Sequence, residues 1–249
     1  MPATLAPALL ETVVRRGHAR GEPWTGLMHE VARQLFALGH TRADLEGALR
    51  SLPYFPEMPR AFAAGAAVGA RSYVLSDSNT VYIDVLLRHM GLGAAMSGIV
   101  TNGAEWDAAG RLHISPRTPP SAPHGCARCP PNLCKGAELT VMAAAHWAAG
   151  ARVLYVGDGG GDVCACLRLA PGDVVAAREG RGFALLPALT SPPLAAHVRA
   201  RVRAWSDGAA LLNIVTQFLA EGEGPEGASA ARGGRAWRRS SAVVSLLSS

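Results

Sequence analysis

The run Val153-Leu154-Tyr155-Val156 restricts the fold more than any other feature. Four consecutive apolar residues with no polar alternation describe a strand covered on both faces, the signature of a parallel sheet rather than a one-sided one. The run breaks off in Gly157-Asp158-Gly159-Gly160-Gly161-Asp162, a turn rich in glycine. Shorter strands are expected at Ser72-Tyr73-Val74-Leu75, at 97–101 and near 173–176. Helical spacing falls between them, at 60–69, 80–90, 137–149 and 162–169. Strands alternating with helices predict an α/β fold with helices on both faces of a parallel sheet. A hairpin arm is expected at 111–114, after the turn at 107–110, and a Pro/Cys-rich loop at 116–131.

The first fifty residues read differently. Leu27, Val31, Leu35 and Leu38 recur at helical spacing, and Gly39 stops the run. Thr41 then reads as an N-cap, with Asp44 and Glu46 in the next first turn. Residues 1–58 are taken as a helical cap region and 59–220 as the α/β core. Residues 221–249 are low-complexity Gly, Ala, Ser and Arg, read as a disordered tail.

Composition narrows the function. The chain has 249 residues, 49% hydrophobic, with a net charge of +5 and no basic stripe of the kind a nucleic-acid binder carries. No apolar run is long enough to span a membrane. The N-terminus lacks the pattern of a signal peptide. A cytoplasmic protein without nucleic-acid or membrane partners is expected. Of the 24 basic residues, Lys135 alone is lysine. Arginine can replace lysine on a solvated surface but not where a compact ammonium is needed, so Lys135 is a site candidate.

Three features sit where strands end, which is where open parallel sheets bind ligands. Ser76-Asp77-Ser78-Asn79-Thr80 follows Leu75 and offers a hydroxyl and helix-opening N–H groups to a phosphate, or serves as an ordinary cap. Lys135 precedes a helix, where its charge opposes the macrodipole unless an anion lies nearby. Asp158 and Asp162 can converge on a hard cation such as Mg²⁺, which takes carboxylates, waters and phosphate oxygens. A dinucleotide loop fits poorly, since Asp162 stands where its third glycine would be. A fourth feature competes. His124, Cys126, Cys129 and Cys134 contain half of a zinc motif and could close a compact knuckle, whereas Cys164 and Cys166 are read as packing residues.

The order and spacing of Ser76-Asp77-Ser78-Asn79-Thr80, Thr101-Asn102, the string from Cys126 to Lys135 and the string from Tyr155 to Cys164 resemble the phosphoethanolamine/phosphocholine phosphatase family. That family includes the pyridoxal-phosphate phosphatase-like proteins and belongs to the haloacid dehalogenase superfamily of Mg²⁺-dependent phosphatases. The resemblance covers about Leu10 to Leu219. It implies a haloacid dehalogenase-like sheet with a helical cap, a small phosphomonoester substrate (phosphoethanolamine, phosphocholine or pyridoxal phosphate) and Mg²⁺ as cofactor. It also implies roles: Ser76, Asp77, Asn79 and Lys135 at the substrate and phosphate, Lys135 as the catalytic cation, and Asp158 and Asp162 at the metal. Asp77 is further expected to meet the cationic head of an amino-alcohol phosphate.

One departure bears on activity. Such enzymes attack phosphorus with the first Asp of an Asp-x-Asp motif after their first strand, and the second Asp moves the proton. This chain contains no Asp-x-Asp, and Gly161 stands where the family has Asn. The expectation is a phosphatase-type chain without its first strand, inactive as it stands, as a truncated gene product would be. The alternatives are a non-catalytic phosphate/Mg²⁺-binding protein and a zinc-knuckle interaction module.

Overall fold

The computed structural model describes residues 5–20, 22–221 and 241–244. Three helices open the chain: α1 (Pro7–Ala19), α2 (Trp24–Ala37) and α3 (Arg42–Arg50). Thr41 caps α3 as the sequence suggests. Its hydroxyl accepts from the Asp44 N–H, and the Asp44 carboxylate accepts from the Thr41 N–H at 2.7 Å. These helices bury Leu27, Val31, Leu35, Leu45 and Leu49 together with Tyr82, Val85, Leu112 and Ile114. Leu38, counted in the apolar stripe of α2, instead lies past the helix end and is exposed.

The core follows. It comprises α4 (Glu57–Ala67), β1 (Arg71–Asn79), α5 (Thr80–His89), β2 (Met96–Trp106), β3 (Leu112–Ser115), α6 (Lys135–Ala148) and β4 (Val153–Gly157). Then come α7 (Val163–Cys166), β5 (Val174–Arg178), α8 (Leu185–Thr190), β6 (Arg201–Trp205), α9 (Gly208–Ala220) and β7 (Ser241–Val244). The sheet runs β3-β2-β1-β7-β4-β5-β6. Every pair is parallel except the β2–β3 hairpin. The α/β expectation therefore holds.

The apolar run in β4 behaves as a doubly covered strand. Leu154 and Val156 face one layer, with Phe62, Val74, Ile83, Leu211 and Phe218. Val153 and Tyr155 face the other, with Leu75, Leu139, Val175 and Leu185. Neighbouring residues point to opposite faces, so both layers share the one strand.

The tail differs from expectation at one place. Residues 241–244 form β7, inserted between β1 and β4, with Val74 and Val156 both opposite Val244. The reading of 221–249 as unstructured does not hold for those four residues; the β-propensity of the Val243-Val244 pair outweighs the polar composition around it. Residues 222–240 and 245–249 lie outside the described residues. The parallel order puts the carboxyl ends of β1 and β4 on the same edge of the sheet, and that edge carries the candidate site.

Candidate active site

Each site residue is placed by its element. β1 ends in Ser76-Asp77-Ser78-Asn79. Ser76 is buried, and its Oγ accepts the Ser78 N–H at 3.1 Å, so the chain turns on the hydroxyl. Asn79 caps α5, its Oδ1 accepting the Tyr82 N–H at 3.0 Å. Asn102 on β2 locks this turn from the side. Its Nδ2 donates to the carbonyls of Asp77 (2.7 Å) and Ser78 (2.9 Å). Its Oδ1 accepts the Arg117 N–H and the Asn132 Nδ2.

Lys135 opens α6 and is fully buried. A cation there conflicts with the helix dipole. The anion that resolves the conflict comes from the chain itself: Lys135 Nζ lies 2.9 Å from Asp162 Oδ1 and 4.0 Å from Asp77 Oδ2. Burial acts to depress the Lys135 pKa. The carboxylates of Asp162, Asp77 and Asp158 more than reverse this and hold it above the ordinary lysine value. The ammonium is therefore a fixed positive charge.

Asp162 is wholly buried, and both of its oxygens are engaged. Oδ1 accepts from Lys135 and from the Tyr155 hydroxyl at 2.7 Å. Oδ2 accepts the N–H groups of Asp158 (3.1 Å) and Gly159 (3.0 Å). Burial acts to raise its pKa, but the charge and hydrogen bond of Lys135, with the Tyr155 hydroxyl and the Gly159 N–H, bring it below the usual carboxylate value. A Cβ on Gly157 would stand 2.8 Å from this carboxyl, so glycine is what lets Asp162 fold back over the end of β4.

Asp158 follows β4 and is half-buried. Asp77 is largely buried, and burial raises its pKa, with Lys135 opposing and Asp162 adding to the rise. Its Oδ1 has no hydrogen-bond partner among the described residues. Gly161 leans on the same group, since a Cβ there would lie 3.2 Å from Asp77 Oδ2.

Ser76, Asp77, Lys135, Asp158 and Asp162 thus come together at one edge of the sheet. Asn79 stands beside them as a cap. Sequence reasoning missed the Tyr155 hydroxyl, which was counted as an apolar strand residue, and the part Asn102 plays as a clamp. The alternation of β4 could have flagged Tyr155, because it places that ring on the face of α6. The cysteine expectation also needs correction. Both nitrogens of His124 are used locally, Nε2 with the Pro130 carbonyl and Nδ1 with the Cys126 N–H. The fourth member beside Cys126, Cys129 and Cys134 is Cys164, while Cys166 packs in the core as expected.

A family model described as "Putative Phosphatase" matches residues 3–219. The chain belongs to this PHOSPHO-like, haloacid dehalogenase-type phosphatase family. Inorganic pyrophosphatase 2 of Arabidopsis thaliana is 33% identical over 211 residues, which is 82% of this chain and 74% of that protein. Pyridoxal phosphate phosphatase PHOSPHO2 of Mus musculus is 31% identical, over 79% of this chain and 81% of that protein. Among solved structures, a probable phosphoserine phosphatase from Vibrio cholerae superposes with a TM-score of 0.53 at 16% identity. The match covers 87% of this chain and 58% of that one, and it establishes the haloacid dehalogenase fold. No helix among the described residues is long and apolar enough to cross a membrane.

Proposed function

We propose that this chain binds a small phosphomonoester at the β1/β4 edge with Mg²⁺, and that it does not turn the ester over by the covalent aspartyl route. The observation carrying this reading is the buried, permanently charged Lys135 fixed between Asp77 and Asp162. A point charge held by the fold offsets phosphate charge with no reorganisation on binding. The Ser76 hydroxyl, at the carboxyl end of β1, would be the matching donor.

The donor set suits Mg²⁺. Asp158 sits half-buried at the strand end and offers hard carboxylate oxygens. Asp158 would be the direct or water-mediated ligand. Bound there, the ion would neutralise phosphate charge and orient the ester. Asp162, both oxygens occupied, would hold Lys135 and the 158–162 turn in place instead of meeting the ion itself. The second oxygen of Asp77 faces Lys135, and its carboxylate would meet the cationic head of an amino-alcohol phosphate.

Turnover is another matter. The sequence has no Asp-x-Asp, the pair with which the family it resembles attacks phosphorus and moves the proton. Removal of such a nucleophile costs many orders of magnitude in rate.

Calorimetric titration of the 249-residue chain with phosphoethanolamine, phosphocholine, pyridoxal phosphate and inorganic phosphate, with and without Mg²⁺, tests the reading. Saturable, Mg²⁺-dependent binding that Lys135→Met abolishes is expected, with phosphate release at the buffer rate. Multiple turnovers that Asp158→Asn removes would overturn the inactivity. Unchanged preference for phosphoethanolamine over inorganic phosphate in Asp77→Ala would overturn the role given to Asp77.

A further inference from the structure

We infer that Cys126, Cys129, Cys134 and Cys164 form a closed tetrathiolate site for a single Zn²⁺, which staples the loop before α6 to α7. The Sγ atoms of all four lie within 4.8 Å of one another. Cys164 Sγ is 3.8 Å from that of Cys126 and 3.9 Å from that of Cys134. Four sulfurs at about 2.3 Å from a tetrahedral Zn²⁺ stand about 3.8 Å apart. The observed spacing is that of ligands around one ion and far too long for a sulfur–sulfur bond.

The donor chemistry narrows the metal to one that prefers thiolate. Four thiols with no carboxylate or imidazole among them are a soft, closed set, suited to Zn²⁺ and unsuited to Mg²⁺. His124 is excluded by its own hydrogen bonds, which use both ring nitrogens. An outer contact holds one of the sulfurs as well. The Ala137 N–H donates to Cys134 Sγ at 3.4 Å. Such second contacts orient metal ligands.

The local chain needs a staple. Between Ser115 and Lys135 there is no helix or strand, and few backbone hydrogen bonds fall within the segment, among them Thr118 to Asn132, Ala122 to Pro119 and Leu133 to Pro130. Long irregular segments of this kind are uncommon without something to fix them. Cysteines 126, 129 and 134 come from this loop. Cys164 comes from α7, two residues beyond Asp162, and Cys134 directly precedes Lys135. Gly136 lets the two approach, because a Cβ there would stand 2.5 Å from Cys164 Sγ. The ion would therefore fix the separation of the two segments that carry Lys135 and Asp162. This inference stands apart from the phosphate reading, since its first readout is metal content.

The full chain is expressed in zinc-supplemented medium, purified without chelators, and its metal measured by mass spectrometry beside a free-thiol count. One zinc per chain is expected. Cys164→Ser should lower zinc affinity by about tenfold or more. Cys166→Ser, outside the cluster, should keep the metal. Should Cys164→Ser not fold, cobalt substitution of the wild-type chain decides. Intense visible bands with a thiolate charge-transfer band in the near ultraviolet support a tetrahedral sulfur site. A metal-free or iron-loaded wild-type chain, a disulfide among the four cysteines, or cobalt spectra without sulfur ligation would overturn the inference.

Discussion

Lys135 Nζ lies 2.9 Å from Asp162 Oδ1, and neither side chain is open to solvent. The contact joins the first residue of α6 to the turn after β4, so this ion pair registers the two elements against each other. A buried pair of this kind adds little net stability over an apolar pair of equal volume, yet losing one partner strands the other charge. Asp162→Asn should therefore cost about 3–5 kcal/mol in urea unfolding. Lys135→Met paired with Asp162→Leu should cost less than either single change. A double variant as unstable as the sum of the singles would show that the pair does not act as a unit.

Gly136 is expected to be intolerant of any side chain. A Cβ would meet Cys164 Sγ at 2.5 Å and the Cys164 carbonyl at 2.8 Å, and the carbonyl cannot swing aside. Gly136→Ala should destabilise by about 1–3 kcal/mol through overpacking. Gly47→Ala is the control. It lies exposed within α3 with nothing within 4 Å of its added carbon, and it should stabilise by about 0.5–1 kcal/mol. Thermal melts of both variants read the two signs.

Much of this arrangement was legible in the sequence. The apolar run of β4, the cap at Thr41 and the cluster of Ser76, Lys135 and Asp158 follow from patterns local in the chain. What was not legible depends on distance. Tyr155 looked like a core residue because only the fold reveals which face its hydroxyl reaches. Cys164 looked like packing because its partners lie about thirty positions earlier. α8, β6 and α9 went unread. β6 alternates arginines at the sheet edge, where no apolar run marks a strand, but the spacing of Leu211, Ile214, Val215 and Phe218 in α9 was a helical signal that was there to be used.

Asn102 should behave as a clamp on the β1 turn. Its amide holds the carbonyls of Asp77 and Ser78, and its oxygen holds Arg117 and Asn132. Asn102→Ala should cost about 1–3 kcal/mol for each buried group left unpaired. Because Ser76 and Asp77 sit in that turn, phosphate binding should weaken as well. Asn102→Asp keeps the Arg117 contact but loses both donations, so it should rescue little. Full binding in Asn102→Ala at temperatures where it remains folded would deny the clamp.

Glu30 gives the acid side of the stability curve a small, assignable term. Hydrogen bonds from Arg33 and then Gln34 hold its carboxylate down at about 2. A depressed folded-state pKa contributes stability that is present above the unfolded value, near 4.5, and is lost as pH falls toward 2. The group is more than a third exposed, so solvent screening keeps the contribution within about 1 kcal/mol. Glu30→Gln should flatten urea midpoints between these pH values and leave them nearly unchanged at pH 7 apart from that small loss. An acid slope identical to wild type would assign the term elsewhere.

The strand at Ser241–Val244 carries the last prediction. It pairs in parallel with β1 on one side and β4 on the other, and so bridges the two strands whose ends form the site. A central strand tolerates proline poorly, because the ring removes a ladder donor. Val243→Pro should leave a buried carbonyl on a neighbouring strand without its partner, at about 1–3 kcal/mol. Hydrogen exchange should show faster exchange along Val74 and Leu75 and along Leu154 to Val156 in Val243→Pro, with β5 and β6 less affected. Equal protection of β1 and β4 in the variant and the wild type would mean that the two strands do not depend on the segment between them.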